Sequence, residues 1–190
     1  MFKTTLEKIN MFLLLYAFKA LGLQLEFFDV IMNRRSIRKY EEKSVEKEKL
    51  QRILEAARLA PSAMNRQPYK LYVLSDTEIL SKINSACNQS WKAPVMIAMV
   101  SFPKDGWVRD DGEDYWKADA AIAINQLSLA AYAEGLGTCL VAAFKESLVK
   151  EILELSSDSR VLFLLPLGYP AEEKKSVRNR KTFSSLVSYR

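Results

Sequence analysis

The stretch Asp119–Glu134 (DAAIAINQLSLAAYAE) limits what this chain can fold into more than any other. Its apolar residues fall on almost every side of a helical projection instead of forming one stripe. Such a helix belongs in the centre of a domain or in an interface between subunits, because any side left to water would expose apolar surface. Gly135 follows directly and supplies the left-handed residue that ends a helix. The sequence therefore predicts one central helix with the other elements packed around it.

Those elements can be read in turn. Val95–Val100 and Val161–Leu167 are near-continuous apolar runs of the kind found in fully buried strands. Lys70–Leu74 reads as another strand, and Thr138–Val141 as the start of a further one. Ser44 is placed to cap a helix with Glu46 in its first turn, a buried stripe of Leu50, Ile53, Leu54 and Ala57, and an end at Pro61. Shorter helices are predicted over Thr77–Asn84 and Lys145–Leu155. Phe102–Tyr115 carries five carboxylates in a spacing that matches no calcium-binding loop, so it reads as a solvated loop.

Residues 1–25 read as an amphipathic helical extension: Leu14, Phe18, Leu21 and Leu25 recur at helical spacing. Lys19 and Gln24 interrupt any span of membrane length, and no small-residue cleavage site follows, so neither a membrane span nor a secretory signal is expected. The remainder, 26–190, fits one α+β domain that ends in a basic C-terminal arm from Lys174 onward.

The chain has no histidine, which removes the commonest general base and the commonest zinc ligand. Cys87 and Cys139 form no metal or redox motif, a pattern that suits a reducing cytoplasm. No metal site is expected. The net charge of +5 comes from Lys and Arg interspersed with Asp and Glu, without the aromatic motif or recognition helix of a nucleic-acid reader, so no nucleic acid is expected as partner.

The polar residues that remain form three groups. The first is Arg34-Arg35-Ser36-Ile37-Arg38. As a strand it would turn Arg34, Ser36 and Arg38 to one side and Arg35 to the other; as a helix Arg34 and Arg38 would again share a face, roughly 6 Å apart. Guanidinium forks suit phosphate and carboxylate and do not lose their charge. The second is the loop between Pro61 and Pro68, with Ser62, Asn65 and Gln67. The third is the late pair Arg178 and Arg180. Together they suit a nucleotide-like ligand, with amides on a heterocycle and arginines on its phosphate. Gly135-Leu136-Gly137 follows a helix and lacks a third glycine, so it is no dinucleotide fingerprint.

Four segments in order, RRSIRKY (34–40), APSAMNRQPY (60–69), AAYAEGLGTC (130–139) and LPLGYP (165–170), make the chain resemble the nitroreductase family of FMN-dependent flavoproteins over about residues 26–185. The resemblance implies a homodimer with a mixed, mainly antiparallel sheet flanked by helices, FMN at the subunit interface, and a C-terminal segment reaching to the partner. It places Arg34, Arg35, Ser36 and Arg38 on the FMN phosphate, ribityl chain and pyrimidine ring. Pro61, Ser62, Asn65 and Gln67 would approach from the other subunit. The backbone of Leu140, Val141 and Ala142 would lie near the flavin edge, where many members carry an aromatic residue that this chain lacks. The late phosphate ligand would be Arg178 or Arg180. No side chain need act as a catalyst, because the flavin carries the chemistry: NADH or NADPH reduces it and a nitroaromatic, quinone or similar acceptor reoxidises it in a ping-pong cycle. The alternatives are a specialised dehalogenase or dehydrogenase of the same family, for which the short 81–93 stretch leaves little lid, or a flavin-binding protein without turnover.

Overall fold

A computed structural model describes residues 27–87, 91–175 and 179–190. The extension expected over 1–25 and the candidate ligand Arg178 lie outside those residues.

Strand β2 (Val95–Ser101) is buried along its whole length, as its unbroken apolar run requires. It sits between β1 (Tyr69–Leu74) and β4 (Arg160–Gly168), and the two-residue β3 (Gly137–Thr138) closes the far side of β4. Every neighbouring pair in this order β1-β2-β4-β3 is antiparallel. Beside this antiparallel sheet, an isolated parallel bridge joins Ser36 to Thr138.

Side chains alternate along β2 and fill two cores. On one face Val95, Ile97 and Met99 meet α2 (Lys47–Arg58) and α4 (Trp116–Ala133) through Ile53, Ala57, Ala123 and Leu127. On the other, Met96, Ala98 and Val100 meet α3 (Thr77–Ala86) and α5 (Glu146–Ile152) through Ile83 and Val149. A short α1 (Phe27–Asn33) and a one-turn α6 (Phe183–Leu186) are the remaining α-helices among the described residues; only Val30 of the former and no residue of the latter is buried. Among the described residues no helix is long and apolar enough to cross a membrane.

The central helix is present, and Gly135 ends it at φ 77°. Within one chain, however, it is buried on one side only: Ala118, Ala121, Ile122 and Asn125 face outward. The expected Ser44 cap is not formed. Helix α2 starts at Lys47 with Glu46 at its cap position and no side-chain cap bond, because the Glu46 carboxylate instead accepts from the Tyr169 hydroxyl at 2.7 Å. Helix α3 runs to Ala86, two residues past the expected end, with Asp76 accepting from the amides of Glu78 and Ile79. Residues 81–86 therefore belong to a helix and are not part of a loop. The strand expected over 138–141 is limited to Thr138 and an isolated Val141–Leu164 bridge. The 102–115 segment is solvated but built: Val108 pairs with Asp114, Gly112 turns at φ 87°, and Arg109 holds both Asp111 (2.7 Å) and the Tyr115 hydroxyl (2.7 Å).

Candidate functional site

The arginine segment is neither a regular strand nor a helix. It is an extended strip laid along β3, with the Ile37 amide donating to the Thr138 carbonyl at 2.9 Å. This approach needs a glycine at 137, since a Cβ there would meet Ile37 Cγ1 at 2.7 Å. Ile37 is buried, and the buried Tyr40 hydroxyl donates to its carbonyl at 2.6 Å. Burial, followed by the neighbouring Cys139 and Glu172, holds the Tyr40 phenol far above its ordinary range. On the outer side the Glu172 carboxylate accepts from the Arg38 amide at 2.6 Å.

The cations on this strip differ. Arg34 is half-buried, and burial, followed by the charges of Arg35 and Arg180, pulls its guanidinium below the ordinary arginine value. Arg35 turns to backbone, donating to the carbonyls of Met32 (2.8 Å), Arg34 (2.7 Å) and Lys175 (3.3 Å). The Arg38 side chain is exposed. Among the described residues none of Arg34, Arg35, Arg38 or Arg180 pairs with a carboxylate. Arg34 lies close enough to Arg35 and Arg180 for both charges to disfavour its own, and among the described residues none of the three has a carboxylate partner, an arrangement suited to an external anion.

The amide loop lies elsewhere. Met64, Asn65 and Gln67 adopt φ of 50°, 55° and 45°, the left-handed region that non-glycine residues seldom enter. The loop is tied down from inside and outside. The Gln67 amide donates to Ser62 Oγ at 3.0 Å, and the Gln67 side chain donates to Asn65 Oδ1 at 2.8 Å. Arg66 donates to the Gly106 carbonyl at 2.8 Å, and the Ala63 amide donates to Asp119 Oδ1 at 2.8 Å. Leu140 and Ala142 are exposed beside the strip's partner strand, whereas Val141 is buried and exchanges both backbone bonds with Leu164 at 2.9 and 3.0 Å.

A sequence model of the nitroreductase family matches residues 31–98 and 89–169. The chain belongs to the nitroreductase family. A solved nitroreductase family protein from Clostridium difficile 630 has the same fold, with a TM-score of 0.82 at 30% identity over 87% of this chain and 98% of that one. The NADH dehydrogenase of Thermus thermophilus is 31% identical over 175 residues, which is 75% of this chain and 85% of the relative. The FMN reductase (NAD(P)H) of Bacillus subtilis is 30% identical over 167 residues, 77% of this chain and 67% of the relative.

For this nitroreductase-family chain the structure brings Arg34, Arg35, Ser36, Arg38, Arg180 and the 140–142 turn to one region. It does not bring the Pro61–Gln67 loop there. The loop is anchored at Asp119 and the strip at Thr138, whose hydroxyl lies 2.8 Å from that of Ser128. Asp119 and Ser128 are nine residues apart on α4, about 13 Å along its axis. The sequence reading missed Asp119, Thr138 and Glu172. Asp119 and Ser128, the polar interruptions on the buried side of an otherwise apolar helix, were the available signal for the first two.

Proposed function

We propose that the chain is an NAD(P)H-dependent flavin oxidoreductase that holds FMN between two copies of itself. The observation that carries the reading is Arg34, half-buried beside the charges of Arg35 and Arg180, with none of the three paired to a carboxylate among the described residues.

The residues present fit FMN. A phosphate needs unpaired cations, which the strip offers, and a heterocyclic ring needs neutral donors and acceptors, which Asn65 and Gln67 offer. When bound, FMN would take two electrons from NADH or NADPH and pass them to a nitroaromatic, quinone or similar acceptor, the two partners taking turns. In this reading Arg34, Arg38 and Arg180 hold the phosphate and Ser36 the ribityl chain. Exposed Leu140 and Ala142 supply apolar contact at one ring edge. The neutral amides of Asn65 and Gln67 orient the ring and offer donors to negative charge without trapping it as an ion pair would.

Two features support the homodimer. Strip and loop sit at different levels of α4, and a two-fold axis beside that helix brings one copy's loop toward the other copy's strip. The outward stripe of α4, Ala118, Ala121, Ile122 and Asn125, is small and largely apolar, as a close helix contact needs. Cys87 and Cys139 are free thiols, which supports a reducing compartment such as the cytoplasm.

The deciding measurement is a visible spectrum of purified protein, supplied with FMN, before and after NADH and NADPH. The expected result is a bound flavin spectrum that bleaches with one or both donors and returns with an acceptor. Absence of bound flavin overturns the reading; bound flavin that neither donor bleaches favours a carrier without turnover. A panel of nitroaromatic, quinone and halogenated acceptors separates a general reductase from a dehalogenase.

A further inference from the structure

Asp119 is buried to 2% exposure, yet only one of its carboxylate oxygens has a partner. Oδ1 accepts from the Ala63 amide, while Oδ2 has no hydrogen bond among the described residues. Burying a carboxylate oxygen without a donor is costly, and a leucine, with the same branched outline and no polar atom, would avoid that cost in a helix whose other buried positions are nearly all apolar.

What the carboxylate does is specific. Ala63–Asn65 forms a single turn whose first amide needs an acceptor from outside. Its cap residue Ser62 makes no side-chain cap bond, because the Ser62 hydroxyl accepts from Gln67 instead. Asp119 fills the vacancy from another element, with a charged acceptor that makes the stronger class of hydrogen bond. The turn it caps holds two of the loop's three left-handed residues, a conformation that persists only when its surroundings over-determine it.

We propose that Asp119 is a positioning residue for the cofactor site: it sets the geometry of Ser62, Asn65 and Gln67 through the Ala63 amide, at the expense of intrinsic stability. The inference rests on the flavin reading above. Ser128, on the opposite flank of the same helix, meets Thr138 and through it the arginine strip, so α4 carries both halves of the site.

The test uses the full chain with FMN as probe. Asp119→Leu should weaken FMN binding about tenfold or more, the loss expected for a charge-assisted hydrogen bond. The melting temperature of the flavin-free protein should stay level or rise, as relief of a buried oxygen requires. Asp119→Asn keeps an acceptor and should remain within about fivefold of the parent. Ala63→Pro cuts the same bond from the loop side. Proline is tolerated at the first position of a turn, and Ser62 at φ −141° and ψ 157° already has the backbone a following proline demands. It should match Asp119→Leu, and the double variant should be no worse than either.

Unchanged FMN affinity in Asp119→Leu and Ala63→Pro overturns the proposal, as do additive effects of the two. So does a joint fall of affinity and flavin-free stability in both, which would mark a purely structural role. Hydrogen exchange at the Ala63 amide in flavin-free protein provides an independent arm, expected to be slow in the parent and fast in Asp119→Leu. If the parent binds no FMN, the flavin reading falls, and equal exchange in the two proteins would then dispose of the positioning role as well.

Discussion

Ile37 occupies the space that a side chain at position 137 would need, with a Cβ on Gly137 falling 2.7 Å from Ile37 Cγ1 and 2.8 Å from its Cβ. Neither residue can retreat, because Ile37 is buried in the core and Gly137 is paired with Gly168 of β4. The RRSIRKY and GLGTC segments are therefore one packed unit, although 100 positions separate these two residues.

Gly137→Ala should displace the arginine strip. Overpacking of this kind costs roughly 1–3 kcal/mol of stability and here should also weaken FMN binding. Ile37→Ala in the same background removes Cγ1 and Cγ2, two of the three atoms in conflict, and should return part of the loss of FMN affinity, as read by flavin titration. A Gly137→Ala protein with parental stability and affinity would show that the strip is not held by this contact.

The arginine cluster separates binding from stability. Arg34 is held below its ordinary value by burial and by the charges of Arg35 and Arg180, so removing one neighbour relieves repulsion in the flavin-free protein. Arg180→Gln should leave the flavin-free melting temperature level or slightly higher while lowering FMN affinity and flattening its dependence on salt. Arg38→Ala leaves the backbone bond to Glu172 intact and should release flavin from a folded protein. Full flavin occupancy in Arg38→Ala would remove Arg38 from the site.

Glu172 makes the strip sensitive to acid. Its carboxyl is held below the ordinary 4.5, first by Lys174 at 2.7 Å and then by the Arg38 amide at 2.6 Å. A depressed folded-state value means that its stabilisation is complete above the unfolded value and is lost as pH falls through the folded one. Flavin retention should therefore be flat above about pH 5 and decline below about 4.5. Glu172→Gln keeps an acceptor for the amide but cannot titrate, so the acid decline should shrink. An unchanged decline in a filter-retention assay would assign it to other carboxylates.

Much of this was legible in the sequence because period and composition carried it. The alternation of β2 between two cores, the central α4 and the left-handed Gly135 all follow from patterns of apolar residues and one glycine. Contacts that depend on tertiary approach were not legible. Ser44 looked like a cap because its type and spacing were right, but Tyr169 fixes Glu46 and the helix starts later. Arg34 and Arg38 were expected to act together; in the fold Arg34 is half-buried beside Arg180 while Arg38 stands exposed, a difference set by Ile37 packing on Gly137. The Arg35 guanidinium donates to the carbonyls of Met32, Arg34 and Lys175, contacts that its place in the segment did not make legible.

The two-copy arrangement makes a prediction that a one-copy site cannot satisfy. If FMN lies between the strip of one protomer and the loop of its partner, Arg38→Ala and Asn65→Ala each destroy both sites of a homodimer, and each protein alone should bind little flavin. A mixed dimer places both lesions in one site and leaves the other intact. Random reassortment after mild unfolding and refolding of an equal mixture should therefore restore about a quarter of the parental flavin sites, because half the dimers are mixed and each carries one whole site. Flavin absorbance of the mixture measured against either variant alone gives the answer. A site built within a single chain would restore nothing, because every chain in the mixture carries a lesion. The same experiment with Arg34→Met in place of Arg38→Ala should give the same fraction, since both residues belong to the strip.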